Sequence, residues 1–316
     1  MALPNSVRPG TQMFTNGAAG NGVAYASDAF GPQLFVSSEG GEDYYSGLTP
    51  ATPLATMGAA FALLEQWNDE VAGSGCNATI NVSGDIREQL ETPADLYGVR
   101  IRGLFNGGVR HTTASGVVLP GNGAAWRSPA SATADEPLLR LQSQGWVVEN
   151  LLFIPAAGIA GIEIYSADPL EGGHAQIVGC RFNAADTTTT VGIEDVGGSG
   201  FVRVEDCFFQ TLASGIVNTS TSQSNPSWWV VTGNRFLDNT EHIDMPFTKS
   251  YYTWNIHDEA TVNIDFSGGG GGNFVNNNSF DNDAANIAPA DGYTAGTGDS
   301  WQVNQANDAV YYGVPA

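Results

Sequence analysis

Four carboxylates recur in this chain one residue after an isoleucine, each at a comparable place in a series of short words. The words are "GIEI" (161–164), "GIED" (192–195), "GIVN" (215–218), "HIDM" (242–245), "NIDF" (263–266) and "NIAP" (286–289). The residues that follow the isoleucine are Glu163, Glu194, Val217, Asp244, Asp265 and Ala288. Read as a strand with its isoleucine turned inward, each word turns the next residue outward, because side chains alternate along a strand. Parallel strands stack about 4.8 Å apart, which would set Glu163 beside Glu194 and Asp244 beside Asp265. Glycoside hydrolysis uses carboxyl pairs about 5–5.5 Å apart in retaining enzymes and about 6.5–9.5 Å apart in inverting ones. Crowding like charges also raises one pKa of a pair, as a general acid requires. Glu163, Glu194, Asp244 and Asp265 are therefore the candidate catalytic residues. The competing reading is a solvated acidic face on an acidic protein.

A second constellation is aromatic. Trp228 and Trp229, followed by Tyr251, Tyr252 and Trp254, make the densest aromatic cluster in the chain. Alternation sends about half of them outward, where a ring offers a flat apolar platform to the CH face of a sugar. Trp228, Trp229, Tyr251 and Trp254 are the candidate ligand-binding residues; packing under a loop or at a subunit contact is the alternative. His111, His174, His242 and His257 show no metal-ligand spacing, and a packed side chain is expected of His257. The glycine run 268–272 has neither the Lys-Ser/Thr of a phosphate loop nor the Asp-bearing period of a calcium repeat. No metal site and no cofactor is expected. Cys76, Cys180 and Cys207, odd in number, read as buried free thiols.

What must position these side chains is a repeat. "VENLLF" (148–153), "IVGCRF" (177–182), "VEDCFF" (204–209), "VTGNRF" (231–236), "YTWNIH" (252–257) and "VNNNSF" (275–280) align as one word. Its last position holds Phe153, Phe182, Phe209, Phe236, His257 and Phe280; its fourth holds Leu151, Cys180, Cys207, Asn234, Asn255 and Asn278. The isoleucine word follows each time. Every unit therefore reads as a strand, a bend at the Cys/Asn position, a second strand starting at the aromatic, and a third around the isoleucine. Periods of about 20–50 residues mark stacked architectures, because such a unit cannot bury its apolar face alone. Stacking would place phenylalanine over phenylalanine and asparagine over asparagine.

Composition narrows the function classes. The chain has 316 residues, 33 acids against 11 bases, and a formal net charge of −22. Lys249 is its only lysine. A basic footprint for nucleic acid or an anionic membrane is missing. No apolar run reaches the roughly 18 residues of a membrane span, and the first 30 residues contain no apolar segment of the kind a secretion signal uses. Nucleic-acid binding, membrane insertion and secretion by a standard signal are therefore not expected.

The coil word of branched apolar residue, ladder asparagine, aromatic and Gly-Ile resembles the right-handed parallel β-helix family, the pectin-lyase-like fold. Upstream, "SSEGGEDYYSGLTPATPLATMGAAFALLEQW" (37–67) is similar to the entry segment of many members, in which a turn leads into a helix that plugs the first coil. Met57, Ala60, Phe61, Leu64 and Trp67 give that segment an apolar stripe at helical spacing. The resemblance covers roughly residues 34–290 and implies an all-β, single-stranded right-handed parallel β-helix of about eight coils with an N-terminal capping helix. The expected organisation is an arm or attachment segment at 1–33, the entry turn and capping helix at 34–75, the β-helix at 76–288, and a cap or subunit-contact tail at 289–316. In this family the acidic face is where polysaccharide-cleaving members keep their sites. Lyases of the family pair calcium-binding acids with an Arg or Lys base. Lys249, Arg181 and Arg235 reproduce no such motif.

The fold hosts lyases, hydrolases and binding proteins alike. Similarity to its viral spike members implies a virion structural protein of a tailed virus: a tailspike, fibre or head-decoration subunit. Such a protein would form a homotrimer, meet other virion proteins through its N-terminal arm, bind host-surface polysaccharide, and reside on the particle. A capsule depolymerase, hydrolase or lyase, is the second expectation. A cellular adhesin or extracellular enzyme is the third.

Overall fold

The computed structural model describes residues 31–73, 75–104, 111–112, 118–119, 124–165, 173–184, 188–219, 226–258, 260, 262–266, 271–281, 293–294, 300–302, 304–306 and 309–311. Most of the strands wind into three long parallel sheets, and the fold is a parallel β-helix. The first sheet carries the opening strand of each coil word, in the register Val148–Ile177–Val204–Val231–Tyr252–Val275. The second carries the aromatic that closes the word. The third is eight-stranded and carries the isoleucines, Ile162–Ile193–Ile216–Ile243–Ile264, all fully buried.

The residue that turns the chain between the first and second sheets is the third of the word, one earlier than the sequence suggests. Asn150, Gly179, Asp206, Gly233, Trp254 and Asn277 all have φ between 52° and 68°, and sit in the left-handed region. The fourth residue then points back into the core. Cys180 and Cys207 are buried there, and Asn234, Asn255 and Asn278 continue the column. Asn255 Oδ1 accepts from Asn234 N and Nδ2, each at 3.0 Å, and Asn278 Oδ1 does the same for Asn255 at 2.9 and 3.0 Å. Buried polar groups require such partners, and the ladder supplies them coil by coil.

Beside it runs a ring stack. Phe153, Phe182, Phe209 and Phe236 lie 5.2, 4.8 and 4.8 Å apart, with planes within 11°. The rings of Phe182, Phe209 and Phe236 fit because the facing position on the third sheet is glycine. A Cβ on Gly161, Gly192 or Gly215 would come within 2.9, 2.8 or 2.9 Å of the ring of Phe182, Phe209 or Phe236. That contact explains the glycine of the "GI" word. The rule is broken on both sides at one level of the stack: His242 follows Gly215 in the third-sheet column and His257 follows Phe236 in the ring stack. Their Nδ1 atoms are 2.9 Å apart, and Tyr252 Oη lies 2.5 Å from Nε2 of His257.

The helix Met57–Glu70 buries the stripe Met57, Ala60, Phe61, Leu64 and Trp67. Its N-terminus is held by oxygen acceptors from three side chains, as the orphan N–H groups there require. Thr56 Oγ1 accepts from Ala59 N, Asp43 accepts from Ala55 N and Thr56 N, and the Glu88 carboxylate accepts from Met57 N and Gly58 N. No helix among the described residues is long and apolar enough to cross a membrane.

The coil stack runs past both limits of 76–288. Gln33–Ser37, ahead of the helix, already pairs in parallel with Thr79–Ile86. Beyond 288, Tyr293–Thr294, Ser300–Gln302 and Asn304–Ala306 add a rung to each sheet before Ala309–Tyr311 turns antiparallel. An open sheet edge is satisfied by another strand wherever the backbone can supply one. Ile287 and Ala288 lie outside the described residues; the position after Asp265 in its register is Thr294.

Candidate functional site

The outward column of the third sheet reads Glu91, Arg140, Glu163, Glu194, Val217, Asp244 and Asp265. Glu163 and Glu194 are adjacent rungs, as are Asp244 and Asp265, and the buried Val217 separates the two pairs. The pairs differ in chemistry. Glu163 is 4% exposed and is engaged by Arg140, whose Nε donates at 2.5 Å and whose Nη1 also binds Glu91. Burial raises its pKa, the Arg140 bond opposes that rise, and repulsion from Glu194 adds to it. Glu194 accepts from Thr219 Oγ1 at 2.5 Å. A carboxylate clamped by a guanidinium is a poor proton donor, so Glu163 belongs to an ion-paired ladder with Arg140 and Glu91.

Among the described residues, no guanidinium clamps Asp244. Its half-burial, followed by the neighbouring charges of Glu241 and Asp265, pushes its pKa up to about 6. A carboxyl in that range can hold a proton near neutrality and release it during a reaction. Among the described residues, no three His, Cys, Asp or Glu side chains are grouped to hold a metal ion.

The aromatic candidates divide by side. Trp229 is fully buried; its Nε1 donates to Ser199 O at 2.9 Å, and it packs on Phe247 at 5.6 Å. It is a core residue and drops out of the surface set, as does Tyr252 at 1% exposure. Trp228, Tyr251 and Trp254 are 43%, 49% and 65% exposed. They bracket the first sheet. Trp228 occupies the corner that enters the sheet, Tyr251 faces outward on the strand Tyr251–Thr253, and Trp254 occupies the corner that leaves it.

The Trp228 corner holds more than the coil word reveals. Gly145, His174, Phe201, Trp228, Lys249 and Gly272 form one register, linked by the amide of each residue donating to the carbonyl just before the next. His174 stacks on Phe201 at 5.0 Å and Phe201 on Trp228 at 6.2 Å, with interplanar angles of 11° and 4°. Lys249 Nζ lies 5.6 Å from the Trp228 ring centre. His174, Phe201 and Lys249 were not among the sequence candidates. The available signal was positional, since each stands three residues ahead of the coil word. On the second sheet, Arg181 and Arg235 flank Phe208 at 5.3 and 5.8 Å, a cation–π sandwich.

No family model matches the chain, and no curated protein matches it. Solved structures match it in fold. A mutant tailspike protein of E. coli bacteriophage HK620, in complex with pentasaccharide, is 12% identical, with 86% of this chain and 62% of that one covered and a TM-score of 0.43. The tailspike protein gp49 of Acinetobacter baumannii bacteriophage Fri1, a capsular polysaccharide depolymerase, is 11% identical, with 90% and 64% covered and a TM-score of 0.33. A hyperthermoactive exopolygalacturonase from Thermotoga maritima is 8% identical, with 79% and 88% covered and a TM-score of 0.32. The chain thus spans somewhat under two thirds of the length of the two tailspikes. At these identities the likeness concerns the fold.

Proposed function

We propose that this chain is a glycan-binding β-helix of a virion spike, fibre or head-decoration subunit. The observation that carries the binding reading is the placement of Trp228, Tyr251 and Trp254, exposed at the entry corner, outer face and exit corner of the first sheet within about one coil. A core does not require aromatic rings in solvent, whereas sugar recognition does use them. Binding of the purified protein to a polysaccharide array tests the reading. Trp254→Ala should weaken the retained glycan about tenfold or more, as loss of a principal aromatic contact does, with unchanged thermal stability. Full retention of binding in Trp254→Ala and Tyr251→Ala would refute the platform. The virion assignment is tested by immunogold labelling of particles, and the homotrimer by light scattering, which should give three times the 33.1 kDa chain mass.

A second reading, polysaccharide hydrolysis, is favoured by Asp244 and Asp265 alone, because Asp244 titrates at about 6 beside a second carboxylate. Release of reducing ends that is abolished by Asp244→Asn would support it.

A further inference from the structure

We propose that the corner column His174–Phe201–Trp228–Lys249, with the adjacent outward column Gln176–Arg203–Val230–Tyr251–Phe274, is a track for an acidic polysaccharide. This deepens the glycan-binding reading above and rests on it. The track would run along the helix axis across successive coils, with rings against sugar faces and Lys249 facing an anionic substituent.

Backbone strain is the first support. The corner register needs a left-handed residue in every coil, and the outer coils use Asn77, Gly98, Gly145 and Gly272. The central coils use His174, Phe201, Trp228 and Lys249, at φ of 64°, 59°, 59° and 51°. Bulky side chains are genuine outliers there, costing about 1–2 kcal/mol relative to a relaxed backbone. Glycine holds the same turn in the neighbouring coils, so the turn itself does not call for rings. An outlier of this kind is grounds for inferring a role for the side chain.

Charge is the second support. In a chain with 33 acids, neither column contains an Asp or Glu along its length. The two columns contain Arg100, His174, Arg203 and Lys249 in the register of the first sheet and its corner. The next outward column does contain acids, Glu149 and Glu205, and both are held by arginines, Arg102 and Arg203. Among the described residues, no carboxylate lies within ion-pair distance of Lys249. The only lysine of the chain thus stands exposed at the end of a ring stack, in a strip cleared of acids. That combination complements a ligand that has both ring faces and negative charge. A neutral glycan would use the rings and make no use of the Lys249 charge.

The test is an array carrying polygalacturonate, hyaluronate and polysialate beside neutral dextran and amylose, with poly-glutamate as an acidic polymer that has neither sugar nor aromatic rings. The expected result is retention on one or more acidic polysaccharides, weakening with added salt. Lys249→Gln should weaken that binding about tenfold, the usual scale for one charge-assisted hydrogen bond. Trp228→Gly and Phe201→Gly should lose it while keeping the melting temperature within a few degrees, since glycine relieves the left-handed strain. A fall in melting temperature with binding intact would make the ladder structural and overturn the proposal. Preference for neutral glycans, or indifference to Lys249→Gln, would overturn the acidic track while leaving the glycan reading standing. Equal binding to poly-glutamate would show charge attraction alone and overturn it as well. Absence of binding to every polysaccharide would overturn both.

Discussion

Asp244 and Glu163 show how surroundings separate two acids of one column. The Asp244 carboxyl titrates at about 6 in the folded chain against 3.8 unfolded, so the folded state binds the proton more tightly between those values. Its contribution to stability is therefore present below pH about 4 and is lost as pH rises through about 6. Asp244→Asn should stabilise the fold at pH 7.5 by about 1 kcal/mol, the shift being discounted for partial solvation. Chemical denaturation of both variants at pH 4.5 and pH 7.5 measures this, and an equal gain at both would contradict it. If the same substitution also abolishes glycan cleavage, stability and activity will have moved in opposite directions, the pattern of a site kept at a cost to the fold. For Glu163, Arg140→Ala should lower stability by about 3 kcal/mol or more, because it strands a buried carboxylate.

At the scale of the coil, the trio Tyr252, His242 and His257 replaces the Val, Gly and Phe of the coil before it. With Tyr252 donating to Nε2 of His257, the imidazole proton of His257 sits on Nδ1 and faces His242 Nδ1. Burial, and then the neighbouring His242, hold the pKa of His257 well below 6.5. The unfolded chain therefore takes up a proton that the folded one refuses. Stability should fall by up to about 1.4 kcal/mol per pH unit as pH drops below about 6.5. The triple substitution Tyr252→Val, His242→Gly, His257→Phe should flatten that slope, whereas His257→Phe alone should destabilise by leaving buried polar atoms without their partner. A slope unchanged in the triple variant would mean that the acid sensitivity lies elsewhere. The asparagine ladder makes a parallel case: Asn255→Ala removes the acceptor of Asn234 and the Nδ2 donor to Asn278 together, and should cost about 2–3 kcal/mol in denaturant melts.

For the whole molecule, a net charge of −22 sets two opposite responses to salt. Raising ionic strength from about 0.01 M to about 1 M contracts the Debye length from about 30 Å to about 3 Å. Self-repulsion should then weaken and the melting temperature rise. Binding to an acidic polysaccharide should weaken over the same range. A melting temperature that falls with salt would show that the ion pairs of Arg140, Arg102 and Arg203 outweigh the long-range repulsion.

The repeat, the aromatic column, the asparagine ladder and the isoleucine-plus-one register were all legible in the amino-acid order. The physical reason is that a stacked coil converts sequence period directly into lateral contact. The helix stripe from Met57 to Trp67 was legible for the same kind of reason, since periodicity and burial coincide there. What only the tertiary structure decided is which corner residue adopts the left-handed conformation and which carboxylate meets a guanidinium. It also decided which tryptophan of the pair 228–229 faces solvent. Arg140 reaches Glu163 from a coil whose word the repeat does not contain, and the corner column joins residues whose types differ in every coil. Sequence periodicity reports positions that repeat. The His174–Phe201–Trp228–Lys249 column is equivalent in backbone geometry while its side chains do not repeat, and only the fold brings it into view.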